Sequence, residues 1–113
     1  MSRRDVAWLN VATAIADANE YRWKHGCVVT RGGNVLSVGQ SKRRNDPRSV
    51  DPSHLNKCSV HAEADALSRV SNTHGTVVYV ARTNKRGERR NSKPCVNCEL
   101  FMQTCGVRKV VYT

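Results

Sequence analysis

Aromatic side chains are scarce in this chain: one Phe, two Trp and three Tyr make up 5% of it. A protein that holds single strands by stacking bases on ring faces needs more such platforms, so the composition argues against that mode. Acidic residues are also thin, nine Asp and Glu against 19 Lys and Arg, leaving a formal charge of +10 at pH 7. Such a field attracts phosphates, on a nucleotide or along a nucleic-acid backbone, and it equally suits soluble basic loops. Long apolar runs are missing, so no membrane span is expected, and a hydrophobic content of 39% reads as globular and soluble. No apolar segment follows Met-Ser-Arg-Arg-Asp at the start, so no secretory signal is expected. Five cysteines is an odd number. With two of them in a metal-type pair, a disulfide framework is not expected, and a reducing, cytoplasmic setting is. At 113 residues without repeats or linkers, residues 1–113 read as one domain.

Two short stretches organise the rest. One is His61-Ala62-Glu63 at the head of an amphipathic segment; the other is Pro94-Cys95-Val96-Asn97-Cys98. His61, Cys95 and Cys98 offer one imidazole and two thiolates, borderline-soft ligands that suit Zn²⁺. Three protein ligands leave a fourth tetrahedral position open, which is what separates a catalytic zinc from a closed structural one. Glu63, two residues on, is placed to take and return a proton beside the metal without ligating it. Cys95 and Cys98 are three apart, so they share a helical face. The competing reading is a closed, non-catalytic zinc module in which Cys58 or Cys105 supplies a fourth ligand and Glu63 has no role. His54 and Cys58 are further candidates for a second metal.

Along the chain, residues 5–20 read as a helix with Val6, Leu9, Val11, Ala12, Ile15 and Ala16 as its apolar stripe, and with Trp8 as a core anchor. A basic aromatic connection, 21–25, offers Trp23 and His25 as packing, surface or substrate-facing residues. Residues 26–30 and 35–39 form a hairpin about Gly32-Gly33, with Cys27 a small buried hydrophobe. A Pro-punctuated basic loop follows, leading to a helix from Ser59, its expected N-cap, to about residue 70. Residues 76–81 form the clearest strand. Residues 83–93 form a second basic loop, and Pro94 opens a helix to about 104, with Leu100, Phe101 and Met102 in the core. Cys105-Gly106 ends that helix, Cys105 buried and inert, and residues 107–112 form a last strand. The order α-β-β-α-β-α-β predicts one sheet with helices on its faces and parallel pairing toward the C-terminus.

His61-x-Glu63 together with Pro94-Cys95-x-x-Cys98 is the signature of zinc-dependent nucleobase deaminases. With Cys58-Ser59-Val60 ahead of His61, Ser92-Lys93 ahead of Pro94, and the element order, the chain resembles the cytidine deaminase-like superfamily from residue 6 to 113. The small deoxycytidylate deaminase-type and phage-encoded members are nearest in look. The resemblance implies a three-layer α-β-α fold with a single mixed sheet, and zinc on His61, Cys95 and Cys98. It implies Glu63 as the proton shuttle during hydrolytic loss of ammonia from a cytosine-type base, in a free nucleotide or nucleoside. The Ala62 backbone amide would hold the ring carbonyl, and Ser41, Asn45 and Pro94 are the other candidate substrate contacts. Family members often carry an Asn where this chain has Ser41, and many continue past the fourth strand. The last strand is thus an exposed edge or a subunit contact, consistent with a homo-oligomer. A base in single-stranded DNA or RNA is the alternative substrate, which the basic loops at 42–48 and 82–93 permit.

Overall fold

The computed structural model describes residues 2–19, 24–43 and 59–113. Trp23, Asn45, His54 and Cys58 lie outside the described residues, so the expectations placed on them do too. The elements in order are α1 (Arg3–Ala18), β1 (Lys24–Arg31), β2 (Asn34–Gln40), β3 (Lys42–Arg43), β4 (Ser59–Val60), α2 (Ala62–Leu67), β5 (Val77–Thr83), β6 (Arg89–Arg90), α3 (Val96–Thr104) and β7 (Lys109–Tyr112).

β1 is the hub of an antiparallel trio, bonded to β2 on one side and β5 on the other. β7 adds in parallel along the first part of β5, and β6 adds antiparallel along its end. The main sheet is therefore mixed, with the expected parallel pairing at the C-terminus. The two-residue strands β3 and β4 form a separate ribbon, Lys42 opposite Val60 and Arg43 opposite Ser59, which the sequence pattern does not signal. Gly32 and Gly33 take φ of 60° and 84° between β1 and β2, the double positive φ that a two-residue hairpin loop demands.

The strand alternation builds three layers. Val28 on β1 and Val77, Tyr79 and Ala81 on β5 pack against Leu9 and Ala12 of α1. Cys27 and Val29 with Val78 and Val80 face the other way, against Ala62, Ala66, Leu67, Cys98 and Met102 of α2 and α3. Two glycines let the helices touch the sheet. A Cβ on Gly26 would lie 2.4 Å from Ala12 O and 2.5 Å from Ala16 N; on Gly39 it would lie 2.5 Å from Ala62 O and 2.6 Å from Ala66 N. Backbone thus rests on backbone at both contacts.

Several local expectations are corrected. α1 is capped by Ser2, whose hydroxyl accepts from Asp5 N in a capping box, so the helix starts earlier than residue 5. Val6 and Val11 are exposed, because the stripe toward the sheet runs through Asp5, Leu9, Ala12 and Ala16. Trp8 does pack at the edge of that layer, 6.5 Å from Tyr79 between ring centres. Ser59 is no helix cap: the ribbon with Arg43 keeps it extended, and the helix begins only after His61. Pro94 precedes the α3 cap rather than opening the helix, since Cys95 is the N-cap. Leu100 is exposed, while Met102 is buried and Phe101 packs against the core. Cys105 ends α3 as expected but is only half-buried. Among the described residues no helix is long and apolar enough to cross a membrane.

Asp5 ties the α1 layer to the sheet. Its carboxylate accepts from Tyr79 Oη and from Lys109 Nζ, both at 2.9 Å. Those bonds, Lys109 first and Tyr79 next, hold its pKa down to about 2 against 3.8. A carboxylate depressed on folding contributes stability above its unfolded pKa and loses it as pH falls through the folded one. In urea titrations the stability gap between wild type and Asp5→Asn should be open at pH 7 and close as pH falls from about 3.8 to about 2. A gap independent of pH would contradict this role.

Both Gly26→Ala and Gly39→Ala should destabilise the fold by about 1–3 kcal/mol, the usual cost of overpacking. Only Gly39→Ala should also weaken zinc binding in a chelator competition, because it lifts α2. Equal zinc affinity in the two variants would contradict that assignment.

Candidate metal centre

α2 is short, and it is held on the sheet from its polar side as well as through Gly39. Asp65 is buried, accepts from Gln40 N at 3.1 Å, and takes both Arg69 guanidinium nitrogens at 3.0 and 3.1 Å. Arg69 also donates to Val38 O. The edge strand β2, Asp65 and Arg69 thereby clamp the helix that carries His61 and Glu63. β4, immediately before His61, is fixed by its ribbon with β3, so the chain is constrained on both sides of the imidazole.

His61 occupies the N-cap position of α2 with extended backbone, φ −75° and ψ 149°, and its side chain makes no capping bond. The imidazole meets the sulfurs instead: Nδ1 is 3.1 Å from Cys98 Sγ and 3.6 Å from Cys95 Sγ. Cys95 is the N-cap of α3, its sulfur accepting from Cys98 N at 3.4 Å in the place a capping oxygen usually takes. The approach to Cys95 is anchored by Ser92, a buried residue whose hydroxyl donates to Val80 O at 2.9 Å and accepts from Thr113 N at 2.8 Å. Two helix starts thus converge at one end of the sheet.

The ligand atoms of His61, Cys95 and Cys98 lie within 4.8 Å of one another. For Zn–N and Zn–S bonds of about 2.0 and 2.3 Å at a tetrahedral angle, nitrogen and sulfur sit about 3.6 Å apart, close to the spacings seen. Cys95 and Cys98 are free of disulfides. The residues therefore fit a zinc ion on spacing and on donor chemistry, and they form a potential zinc site. Among the described residues no further His, Cys, Asp or Glu joins the trio, and Cys105 is not part of it.

Glu63 is 4% exposed beside this trio. Burial pushes its carboxyl up, against the opposing pull of its own backbone N–H and of the Cys98 thiol. That moves it toward the range in which a carboxyl both takes and gives protons near neutral pH. Burial, then Glu63 and Cys95, push the Cys98 thiol far up; a divalent cation is the charge that reverses such a shift. Cys27 lies fully buried in the same layer, its thiol also pushed up by burial and then by Glu63 and Asp65, as expected of an inert core thiol.

The remaining sequence candidates are distributed around the centre. Ala62 is fully buried at the first position of α2, and Pro94 is buried immediately before Cys95. Ser41 is buried at the end of β2, where its hydroxyl accepts from His25 N at 3.1 Å and Asn19 Nδ2 at 3.0 Å. Asn19 also donates to Ser41 O and His25 O, so it knits the end of α1 to this edge of the site. The sequence pattern marks Asn19 only as the residue at a helix end. His25 is half-buried at the start of β1, and burial, then Arg82, then His61 hold its pKa down to about 4.

A family model for the cytidine and deoxycytidylate deaminase zinc-binding region matches residues 2–113. Among solved structures, the dCMP deaminase from cyanophage S-TIM5 in apo form is similar over 99% of this chain and 84% of its own, with a TM-score of 0.72 and 21% identity. That protein in complex with dCMP and dUMP gives a TM-score of 0.72 at 20% identity, covering 99% and 82%. RibD from Acinetobacter baumannii gives 0.59 at 19% identity, covering 98% of this chain and 28% of RibD. A search of curated proteins finds no match. At these identities the structural likeness speaks for a shared fold, the cytidine deaminase-like three-layer arrangement. The match to the family model spans nearly the whole chain, metal trio included, and the chain belongs to the cytidine and deoxycytidylate deaminase zinc-binding family.

Proposed function

We propose that this chain, acting as one domain, hydrolyses the exocyclic amino group from a cytosine-type base in a free nucleotide or nucleoside. One observation carries the reading: among the described residues three ligand atoms gather within 4.8 Å, with a buried carboxyl next to them. His61, Cys95 and Cys98 hold the zinc. When bound, zinc supplies Lewis acidity, which brings the ionisation of water near neutral pH. Glu63 carries one proton of the attacking water to the ring nitrogen and then the second, from the hydroxyl that becomes the ring carbonyl, to the departing amine. Water is consumed, a ring carbonyl replaces the C–NH₂ group, and ammonia leaves. The Ala62 amide orients the ring through its carbonyl, and Pro94, Ser41 and Asn45 are the further candidate substrate contacts. Free thiols as ligands require a reducing compartment, in keeping with a cytoplasmic location. The exposed Val6 and Val11, with the edge position of β7, support assembly into a homo-oligomer.

A second reading keeps the chemistry and moves the base into single-stranded DNA or RNA. The hairpin at residues 82–93 favours it, with Arg82, Lys85, Arg86, Arg89, Arg90 and Lys93 against the single carboxylate of Glu88.

An ammonia-release screen across nucleosides, nucleotides and single-stranded oligonucleotides tests the proposal. Zinc-loaded wild type should turn over at least one cytosine substrate, and Glu63→Gln should keep its zinc while losing about 10²–10⁴-fold in rate. Wild-type turnover in Glu63→Gln removes the proton-shuttle role. Zinc present with no ammonia from any substrate favours a non-catalytic module. Cys98→Ser should lose zinc by elemental analysis; full metal content would contradict the ligand set.

A further inference from the structure

The main sheet has two edges, β2 on one side and β7, followed by the two-residue β6, on the other. An uncovered edge is a row of backbone donors and acceptors that another strand can pair with, and proteins ordinarily blunt it. β2 is blunted. Asp65 accepts from Gln40 N, Arg69 donates to Val38 O, and a register shift opposite Val29 and Thr30 interrupts the ladder. β7 has none of these devices. It contains no proline, its pairing with β5 is unbroken, and its one charged side chain, Lys109, is drawn to Asp5 on the α1 side at 2.9 Å.

The register fixes which backbone groups of β7 are open. Val38 and Gln40 turn theirs outward to α2, so Val28 and Gly26, opposite them, turn theirs to Tyr79 and Ala81 of β5. β5 in turn offers those of Val78 and Val80 to β7, and Thr113 N does donate to Val80 O. Alternation leaves the N–H and C=O of Val110 and Tyr112 pointing away from β5, where no strand among the described residues covers them. Val110 packs in the α2–α3 layer and Val111 in the α1 layer, which puts Tyr112, 40% exposed, on the α3 side. Beside it, between α3 and β7, runs a groove of about 320 Å³ lined in part by Glu99, Met102, Gln103, Val110 and Tyr112.

We infer that β7 is the seam of a two-fold homodimer: it pairs antiparallel with β7 of a second copy, Val111 opposite Val111, and one sheet continues through both chains. In this register Val110 and the second copy's Tyr112 exchange N–H···O bonds in both directions, and symmetry repeats the exchange. Valine meets tyrosine on the α3 side, a favourable cross-strand pair, and Lys109 meets Thr113, so no like charges are directly opposite. Each Tyr112 ring reaches the other copy's groove above Val110. A slip by one residue would put every side chain on the wrong face. The slip that sets Val110 opposite Val110 would call on Arg108 N, which is already bonded to Thr76 O. The inference names the surface for the homo-oligomer reading above and is independent of the deaminase chemistry.

Sedimentation equilibrium on the zinc-loaded full chain, paired with amide hydrogen exchange, tests it. Wild type should dimerise reversibly, and exchange at the Val110 and Tyr112 amides should slow as concentration rises. Tyr112→Lys, which places a charge at both ends of the seam, should weaken the dimer about tenfold or more, while Tyr112→Phe stays close to wild type. Val35→Lys, at an exposed valine on the blunted edge, should leave association unchanged. Thermal melts confirm that the variants fold, and the exchange measurement needs no variant. A dimer indifferent to Tyr112→Lys, or exchange at Val110 and Tyr112 that ignores concentration while the chain dimerises, overturns the seam and leaves a homo-oligomer built through another surface. A monomer at every concentration overturns both the seam and the homo-oligomer reading.

Discussion

Everything in this molecule depends on two helix starts being brought to one point. His61 heads α2 and Cys95 heads α3, and their ligand atoms meet that of Cys98 within 4.8 Å because both helices lie on the same face of one sheet. That meeting needs backbone contact. At Gly39 any side chain would collide with Ala62 and Ala66, so α2 sits as close to β2 as the chain permits. Asp65 and Arg69 then fix its rotation by hydrogen bonds to the same strand. On the opposite helix, Ser92 binds β5 through Val80 and the chain end through Thr113, and so sets where Cys95 begins. The metal ligands are positioned by packing and by hydrogen bonds that do not themselves touch a metal, which is how a binding site acquires a defined geometry.

Electrostatics in this layer follows from that packing. Glu63, Cys98 and Cys27 are titratable groups sunk into an apolar core, and burial raises the pKa of each. Burying an ionisable group is costly unless it meets an opposite charge. A dication held by His61, Cys95 and Cys98 would provide that charge for Cys98, with the Glu63 carboxyl beside it. At the rim, Arg82 and Arg90 stand in register across β5 and β6, with His25 of β1 opposite Arg82.

Much of this was legible in the residues. His61-x-Glu63 and Pro94-Cys95-x-x-Cys98 carry their chemistry in spacing, and the spacing survives folding because each motif sits at a helix start. The sheet was legible because β-branched runs and Gly-Gly turns are local signals, and the parallel β5–β7 pair follows from the helix between them. What was not legible depends on contacts far apart in sequence. Ser59 looks like a helix cap until its pairing with Arg43 is known. Val6, Val11 and Leu100 look like core until the exact face of each helix is set by the sheet beneath it. Asn19 and Arg82 looked like a helix end and a loop cation; their places beside Ser41 and His25 arise only from the register of β1 with its neighbours.

Zinc K-edge X-ray absorption on the metal-loaded protein tests the open-site account most directly. The account predicts one zinc per chain, with two sulfurs at about 2.3 Å, one imidazole and one light-atom neighbour not supplied by a second histidine. A third or fourth sulfur around the ion, or a metal-free protein with Cys95 bonded to Cys98, would contradict it.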